Sequence, residues 1–441
     1  MITTRRLKDS ELLVDWSHLT QITPEKTASG LMHHPNLERL QSAWEQLKDL
    51  FETHQAGFFH APDDEELSAL TDSLSMAETL LQEKEWKDVL ILGIGGSSLG
   101  PKCLLQALKL ERKNDLCFHF MENPDPDLWN DTIHRLNPQN TLVIGISKSG
   151  GTFESIALLQ CAMEWIGESR WSSQIVLLTD PTQGDLRALA NNLSLRSLPI
   201  HPSIGGRYSI FSPVGLFLGA LGGIPMNYFM NGAHAARKEW LESTPDKNPW
   251  MQSASHLIAH ASTRPNHVFF PYSSRLRLLG DWFVQLWAES LGKEGKGFTP
   301  IAALGATDQH SLLQLLVEGP DHFVTFFLSL EKHSEDVKIP QIPHPALARL
   351  GSFQLLGGHT LGHLLATEHQ SISKVFINQK RPSVQLKLDH LNAHTLGALM
   401  FHLCSWTAFT GILWEVDPFN QPGVEEGKVY IREMLSDKNQ S

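Results

Sequence analysis

Short apolar runs, each followed by small or polar residues and then by a helical pattern, recur along this chain of 441 residues. They read DVLILGIGG at 88–96, NTLVIGISKSGG at 140–151, SQIVLLTD at 173–180 and NHVFFPYS at 266–273. Strands buried on both faces of a parallel sheet have this continuous apolar character. Amphipathic stretches such as 152–166 lie between them, and this alternation predicts sheets covered by helices. We therefore expect an α/β fold.

The strand and helix series occurs twice, once up to about residue 200 and again from about residue 260. A stretch that contains Gly and Pro, residues 201–223, separates the two series. At roughly 100 to 200 residues per domain, the length accommodates two or three domains. We predict a helical N-terminal segment at 1–50 that packs on the second domain, a first α/β domain at 51–215 and a second at 216–441.

The overall charge and the absence of long apolar segments limit the kinds of partner that we expect. The chain has 48 acidic and 36 basic residues, for a formal net charge of −12 with His neutral, so a nucleic-acid backbone would be repelled. The N-terminus lacks a signal-peptide pattern, and runs such as 89–95 are too short to span a bilayer. We expect a cytoplasmic protein that binds a small molecule, without nucleic-acid or membrane partners.

Neither a disulfide framework nor a metal site is predicted. Four cysteines lie far apart without a Cys-x-x-Cys pair, which favours buried thiols; they are Cys103, Cys117, Cys161 and Cys404. His359 and His363 lie four residues apart with Glu368 nearby, a spacing that suggests metal ligands. HExxH is absent, and we favour a structural or surface role for these histidines.

Two loops have the composition of phosphate sites. Gly93–Gly100 follows a predicted strand and opens a helix, where backbone N–H groups can face an anion. Ser98 occupies a glycine position of the dinucleotide motif GxGxxG, which excludes that motif and leaves a plain tight turn as the alternative. Ser147–Thr152 combines hydroxyls, a lysine and backbone donors at a helix start, which suits a phosphate monoester. It is no Walker A loop, and simple helix capping is its alternative.

Three further polar residues have patterns that suggest chemistry. Arg207 directly follows two glycines, so a turn can project its guanidinium into a cleft, although most arginines are surface groups. Gln285 and Glu289 lie four residues apart on one face of a predicted helix, beside large apolar side chains. Glu289 is thus a candidate general base, with an ordinary surface carboxylate as the alternative.

His310 lies near the predicted start of a helix. Thr307 or Asp308 would cap that helix, which would leave His310 near its positive end. One histidine among 22 has little weight by itself, so a surface role is the simpler interpretation.

Six motifs follow one another along the chain: GIGGSSLGP at 93–101, SKSGGTFE at 147–154, GGRYS at 205–209, QLWAESLGK at 285–293, GATDQHS at 305–311 and FNQPGVEEGK at 419–428. In sequence and order they resemble the phosphoglucose isomerase family, whose members interconvert glucose 6-phosphate and fructose 6-phosphate. The last motif matches every fixed position of the family pattern. The resemblance implies two α/β/α sandwich domains of the sugar-isomerase (SIS) type, a homodimer with shared active sites, and no metal or organic cofactor.

The resemblance also implies roles for individual residues. Glu289 would move a proton between C2 and C1, Arg207 would stabilise the enediolate, and His310 with Lys428 would open the sugar ring. His310 would come from the neighbouring subunit and would be oriented by Glu154. The substrate contacts would be Gly96, Ser97, Ser147, Lys148, Ser149, Thr152, Gln285 and Gln421.

The residue types also suit this chemistry without the resemblance. Isomerising an aldose needs a base that removes a proton beside a carbonyl and returns it to the next carbon, which a carboxylate does. The charge that develops on oxygen needs a fixed cation, which an arginine supplies without losing its proton. A neutral histidine can shift the proton that opens the ring.

Two departures from the family pattern, and two other functions, stay open at this point. Gly151 stands where most members have Thr, so the loop has one hydroxyl fewer, and Pro202 stands where an acidic or small polar residue is usual. A bifunctional phosphoglucose/phosphomannose isomerase is one of these functions, because motif spacing does not reveal the contacts that read the stereochemistry at C2. A non-catalytic sugar-phosphate-binding SIS regulator would keep the phosphate loop, residues 147–152, but would not need Glu289, His310 and Lys428.

Overall fold

A computed structural model describes residues 4–20, 36–53 and 55–436, and its strands form two sheets. The first sheet has the order β4-β3-β5-β6-β7 and is parallel throughout, and the second has the order β1-β2-β11-β10-β8-β9, in which β8 to β11 are parallel. The strands are β1 Thr4–Leu7, β2 Leu12–Asp15, β3 Asp88–Leu92, β4 Cys117–Met121, β5 Thr141–Ser147, β6 Ile175–Thr179, β7 Arg196–Pro199, β8 Asn266–Pro271, β9 Thr299–Ala302, β10 Phe323–Leu330 and β11 Ser383–Leu388. The predicted α/β fold with parallel sheets is confirmed, and all four predicted runs are strands.

Helices connect the strands, and several begin where the sequence has a capping residue. Asp125, Ser212 and Asn248 each accept backbone N–H bonds at a helix start and are each followed by a proline. The helices of the described residues are α1 Ser17–Thr20, α2 Leu37–Glu52, α3 Glu65–Ser68, α4 Leu70–Glu83, α5 Leu99–Ala107, α6 Pro126–Arg135, α7 Phe153–Ile166, α8 Trp171–Gln174, α9 Asp185–Leu193, α10 Pro213–Leu221, α11 Met226–Glu242, α12 Pro249–Ala259, α13 Arg277–Leu291, α14 Leu313–Glu318, α15 Gly351–Leu356, α16 Leu361–Asn378, α17 Ala393–Leu413 and α18 Glu425–Ser436.

The strand order reverses direction once in each parallel sheet. In the first sheet β3 lies between β4 and β5, and in the second β8 lies between β9 and β10. Connections that leave in opposite directions from neighbouring strands open a crevice at the carboxyl ends of those strands, where ligands of α/β proteins bind. Each sheet therefore has one expected binding edge.

Helix α17 forms the centre of the core beside the second sheet. Among the described residues it is the one helix long and apolar enough to cross a membrane, and 94% of its most apolar stretch is buried inside the protein. Its Trp406 ring lies 4.7 Å from Trp287 of α13 and 5.3 Å from Trp250 of α12, measured between ring centroids. This aromatic contact fixes α13, which carries Gln285 and Glu289, against the core.

Two expectations from the sequence are wrong. The first described residues form the β1–β2 hairpin instead of a helix, because Leu12 and Val14 of β2 are buried when β2 pairs with β11. Their alternation extends over only four residues and carries little signal without the partner strand. Of the cysteines expected to be buried, Cys117 and Cys161 are exposed, since one begins an edge strand and the other lies on the outer face of α7.

The buried His267 of β8 predicts acid sensitivity. Its ring stacks on Phe298 at 3.9 Å, its Nδ1 accepts a hydrogen bond from Trp287 Nε1 at 3.1 Å, and burial lowers its pKa to about 3. Below pH 6.5 the unfolded chain takes up a proton that the folded chain refuses, so the free energy of unfolding falls by roughly 1.4 kcal/mol per pH unit. Between pH 7 and pH 5 the titration of this residue lowers the free energy of unfolding by about 2 kcal/mol.

Urea unfolding of the wild type and of His267→Gln at pH 7 and pH 5 measures this contribution. Glutamine keeps an acceptor for Trp287 but does not titrate. We expect the variant to be less stable at pH 7, with a loss on acidification that is smaller by about 2 kcal/mol. Equal losses in the two proteins would contradict the prediction.

Candidate active site

Arg207 is the centre of a cluster that joins three distant parts of the chain. This residue is only 2% exposed, and its NH1 donates to Glu289 Oε1 and to Gln421 Oε1, both at 2.8 Å. A charge-assisted pair of this length fixes both partners. The structure thus brings together the predicted catalytic arginine, the predicted base and one predicted substrate contact.

The rest of the Arg207 guanidinium is held by groups that the sequence analysis missed. Its Nε donates to Ser290 Oγ at 2.7 Å, and its NH2 donates to the backbone carbonyls of Pro418 and Asn420. Ser290 directly follows Glu289 in a motif, so its position was a usable signal. The two carbonyls carry no signal in the sequence. With these partners the guanidinium is fixed in orientation, which suits a cation that must meet charge at one defined point.

Lys293 fastens the segment that supplies those carbonyls. Its Nζ donates to the carbonyl of Ser290 at 3.1 Å and to the carbonyl of Asp417. Burial, reinforced by the charge of Arg207, lowers the pKa of this lysine to about 8. The last residue of the QLWAESLGK motif therefore connects the end of α13 with the segment around Gln421.

Both carboxylate oxygens of Glu289 are oriented. Oε1 lies against Arg207, and Oε2 accepts a hydrogen bond from Gln285 Nε2 at 3.0 Å. The side chain is 27% exposed, whereas Leu286 and Trp287 are buried on another face of α13. The expected apolar surroundings are therefore absent: the carboxylate lies among polar donors because α13 turns its apolar face to the core. The carboxylate stays accessible to a ligand.

The glycine-rich loop after β3 docks on the segment that carries Arg207. A side chain on Gly96 would place its Cβ only 2.2 Å from the carbonyl oxygen of Gly206, so the two backbones touch. Ser209 Oγ also donates to the carbonyl of Gly96 at 3.1 Å. Ser97 ends the 3-10 turn Gly95–Ser97 and is partly exposed. This contact explains why the loop has glycine at 96.

The loop after β5 joins its two ends through hydroxyls. Ser147 Oγ and Thr152 Oγ1 lie 2.8 Å apart, and Ser149 Oγ accepts a hydrogen bond from the Gly151 N–H at 3.4 Å. Thr152 precedes α7, but its side chain makes no capping bond to that helix. The capping alternative is therefore not observed, and the hydroxyls and the start of α7 share one edge of the first sheet.

Lys148 belongs to this loop, and its charge interacts with that of Arg207. Its Nζ donates to the backbone carbonyl of Pro202 at 2.7 Å. Burial lowers the pKa of Lys148; Asp180 opposes this shift, and the charge of Arg207 adds to it. Pro202 contributes its backbone carbonyl, so this contact does not depend on the side chain at that position. The two cations form one positive region that suits a phosphate.

Lys428 and Glu154 lie beside the phosphate loop without reaching the Arg207 cluster. Lys428 is exposed on α18, and its Nζ donates to Glu425 Oε1 at 2.7 Å. The guanidinium of Arg432, one turn further on, lies 5.7 Å from the centre of the Phe153 ring, so α18 runs next to the start of α7. Glu154 belongs to the first turn of α7.

His310 is remote from Glu289 of the same chain. It ends the 3-10 turn Thr307–His310, which follows β9 at its carboxyl end, and it is exposed. Early in α13, Gly280 packs on Ala302 at that same end of β9. Glu289 is nine residues further along α13, about 13 Å away at 1.5 Å per residue, toward the opposite edge of the sheet. One chain therefore does not unite these two predicted groups.

The segment of His310 also differs from the expected cap. Asp308 Oδ2 accepts from the Leu304 N–H at 2.8 Å and Oδ1 from Ser311 Oγ at 2.9 Å, so its carboxylate closes its own turn. Helix α14 begins later, at Leu313, and has no side-chain cap. The expectation that Thr307 or Asp308 caps this helix is wrong, because the Leu304 N–H and the Ser311 hydroxyl take the Asp308 carboxylate.

The suggested metal pair gains no third ligand. The rings of His359 and His363 stack with centroids 5.0 Å apart. In the described ranges, no group of three or more His, Cys, Asp or Glu side chains converges in a way that could hold a metal ion.

Comparisons with known proteins agree on one family. A family model described as "Phosphoglucose isomerase" matches residues 79–441. A glucose-6-phosphate isomerase from Rubrobacter xylanophilus is 37% identical over 383 residues, which cover 84% of this chain and 87% of that protein. A glucose-6-phosphate isomerase from Thermus thermophilus is 36% identical over 390 residues, with 86% and 90% covered.

Solved structures share the fold. A Thermus thermophilus protein described as hypothetical matches with a TM-score of 0.85 at 33% identity, over 96% of this chain and 99% of that one. A glucose-6-phosphate isomerase from Chlamydia trachomatis matches with a TM-score of 0.77 at 22% identity, over 98% and 90%. The predicted SIS-type architecture is thereby confirmed, and with a family model that covers most of its length this chain belongs to the phosphoglucose isomerase family.

Proposed function

We propose that this chain interconverts glucose 6-phosphate and fructose 6-phosphate, a reaction of glycolysis and gluconeogenesis, with Glu289 as the base. The curated relatives described above are named for this aldose–ketose isomerisation. The observation that carries the proposal is the contact of a fixed arginine with an accessible carboxylate beside a phosphate loop. A non-catalytic sugar-phosphate regulator would need the loop but not the pair of Arg207 and Glu289.

The proposed chemistry uses the two groups in sequence. Glu289 takes the proton from C2 and, once the hydroxyl proton has passed from O2 to O1, returns it to C1; transfer by one base on one face makes the intermediate a cis-enediolate. Arg207 meets the negative charge on its oxygen; because the guanidinium is already oriented, it needs no rearrangement when that charge appears. Gln285 holds the second oxygen of the base and limits its rotation. His310 and Lys428 open the ring in this proposal.

The substrate phosphate would bind between the two glycine-containing loops. Ser97, Ser147, Ser149 and Thr152 offer hydroxyls there, and the backbone N–H groups at the start of α7 point to the same side. Gly96 and Gln421 border the site through their contacts with the Arg207 cluster.

Lys148→Ala is expected to raise KM about 10- to 100-fold and to lower kcat much less. The lysine charge acts on the phosphate in the ground state and the transition state alike, so its loss weakens binding more than turnover. Steady-state kinetics with glucose 6-phosphate measure the effect. The exposed Lys109→Ala is the matched control and should leave both constants unchanged. An unaltered KM for Lys148→Ala would place the phosphate elsewhere.

We also propose a homodimer in which each site takes His310 from the partner. Within one chain, His310 lies at the carboxyl ends of the strands of the second sheet, and Glu289 lies toward their amino ends. Large apolar side chains are also exposed on α15 and α18, among them Leu355 at 73% and Met434 at 71%. Monomeric proteins rarely expose such groups together, and a two-fold dimer would cover them.

Subunit mixing tests this arrangement. His310→Ala and Glu289→Gln are each expected to inactivate their own homodimers. After denaturation and joint refolding, about half of the dimers are mixed and one of their two sites carries neither change, so about a quarter of the wild-type activity should return. Separately refolded variants are the control. No recovery after verified exchange would place both residues in one chain's site.

The direct test of function is an assay of the purified protein with glucose 6-phosphate and with mannose 6-phosphate, with EDTA present. Formation of fructose 6-phosphate from glucose 6-phosphate alone supports the proposal as stated. Turnover of both sugars supports the bifunctional isomerase instead. Loss of activity in EDTA that a divalent ion restores would overturn the metal-free mechanism, and no turnover of either sugar would favour the regulator.

Two further assignments are part of the proposal. We place the protein in the cytoplasm, where its phosphorylated substrate is made and used. We retain the division into 1–50, 51–215 and 216–441, in which β3 to β7 lie within the second range and β8 to β11 within the third.

A further inference from the structure

A second crevice lies at the carboxyl edge of the second sheet, where the strand order reverses between β8 and β10. It has a volume of about 200 Å³. Four elements line it: Tyr272 follows β8, Ser329 belongs to β10, Lys387 to β11 and His369 to α16. In the first sheet the equivalent edge carries the glycine-rich loop and the phosphate loop. The rule that ligands bind at such edges therefore points to this crevice as well.

The crevice contains hydrogen-bond donors without an acceptor. The Tyr272 hydroxyl accepts a bond from Gln309 Nε2 at 2.7 Å, so its own hydrogen is left to donate. Burial raises the pKa of Tyr272 to about 12, and the group keeps that hydrogen at neutral pH. Ser329 is 7% exposed, and its hydroxyl has no hydrogen-bond partner among the residues described. Both hydroxyls therefore keep a donor that can bind an acceptor in the crevice.

Lys387 gives the crevice a cationic donor. Among its described lining residues, Glu331 has the only carboxylate, and Arg6 NH2 binds that carboxylate at 2.8 Å. Lys387 Nζ lies 4.0 Å from the other Glu331 oxygen, too far for a hydrogen bond, so its three N–H donors are free. Arg6 also binds Asp389, so Arg6 and Lys387 together offset two carboxylates, and Lys387 is the one lysine or arginine among the described lining residues that a ligand would meet.

We propose that this crevice is a second anion site, which binds a phosphate group through Lys387, Ser329 and Tyr272. Ser329 and Lys387 are register partners on β10 and β11, and Tyr272 directly follows Pro271, the partner of Leu328, so the three donors lie side by side and can contact several oxygens of one phosphate. The volume limits the ligand to inorganic phosphate or a small phosphate ester. The site is separate from the proposed active site and does not depend on the isomerase function.

The crevice contacts the segment that carries His310. Gln309, which bonds to Tyr272, is the neighbour of His310 in sequence, and Gly305 packs face to face with the Tyr272 ring, where a Cβ would lie 2.6 Å from ring atoms. A phosphate bound to the Tyr272 hydroxyl would therefore lie close to Gln309, the residue directly before the proposed catalytic His310.

Calorimetric titration of the full chain with inorganic phosphate tests the site, because it counts the phosphates bound per chain. We expect two phosphates per wild-type chain, one of them lost in Lys148→Ala and the other weakened at least about tenfold in Lys387→Ala. Lys374→Ala, an exposed lysine of α16 outside the crevice, is the matched control and should bind two. Lys387→Ala should keep the wild-type kcat on glucose 6-phosphate, because Lys387 has no part in the isomerisation.

Two results would overturn the proposal. One is a single phosphate per wild-type chain that disappears in Lys148→Ala, and the other is a second phosphate that Lys387→Ala binds with wild-type affinity. If Lys387→Ala lowers the melting temperature, Ser329→Ala is the deciding variant, because it removes only one hydroxyl. Weaker binding of the second phosphate by Ser329→Ala supports the site, and unchanged binding rejects it. Displacement of that phosphate by glycerol 3-phosphate supports an ester ligand, and failure to displace it supports inorganic phosphate as the ligand.

Discussion

Glu289→Gln is expected to lower kcat on glucose 6-phosphate by roughly 10² to 10⁴, the usual contribution of a general base. Glutamine has nearly the same size and can still accept from Arg207 through its amide oxygen, so the phosphate and sugar should bind almost normally. It cannot take up the C2 proton. KM should therefore change little, and the loss should lie in the chemical step.

Hydrogen exchange at C2 separates this role from others. The variant should fail to exchange the C2 hydrogen of glucose 6-phosphate with solvent, yet still speed the interconversion of the α and β anomers, since ring opening is assigned to His310 and Lys428. Glu164→Gln, exposed on α7, is the matched control and should exchange normally. Exchange near the wild-type rate in Glu289→Gln would remove this residue from the mechanism.

The second large effect is expected for Arg207→Lys, which keeps the charge and loses the geometry. A lysine cannot make the five bonds that connect Arg207 with Glu289, Gln421, Ser290 and two backbone carbonyls. We expect kcat to fall by about 10² to 10³ because the cation no longer faces the enediolate oxygen in a fixed position. Unfolding free energy should drop by about 3 kcal/mol, since buried acceptors lose their donors.

Urea unfolding and steady-state kinetics on the same preparations test both parts. Arg264→Lys is a suitable control, because this arginine also pairs with a carboxylate, that of Asp321, but outside the cluster. It should retain kcat. A variant of Arg207 that is destabilised but turns over at the wild-type rate would show that the arginine serves the fold alone.

The sequence predicted the parallel core well and the edges of the sheets poorly. Runs buried on both faces, such as those of β3 and β5, carry a continuous apolar signal that needs no partner to be seen. The edge strands β4 and β9 are short and mostly half-buried, and the β1–β2 hairpin joins the sheet only where β2 pairs with β11. Local patterns do not contain that information.

The same limit applies to the site. Contiguous motifs were enough to single out Arg207, Glu289 and Gln421, which the fold then brings into contact. Acceptors supplied by backbone carbonyls, as at Pro418, leave no trace in residue types. The separation of His310 from Glu289 depends on which edge of a sheet each element reaches, and only the topology provides it.

The bond between Lys148 and the Pro202 carbonyl has a consequence for how tightly the site holds its ligands. The ammonium has an acceptor within the protein, so a partly buried positive charge beside Arg207 is not left unsolvated. An incoming phosphate shares the three N–H donors of the ammonium with that carbonyl, so the phosphate gains only part of the hydrogen bonding that the lysine can offer. A site built this way favours rapid release over tight retention, which suits an enzyme that works on a reversible reaction in both directions.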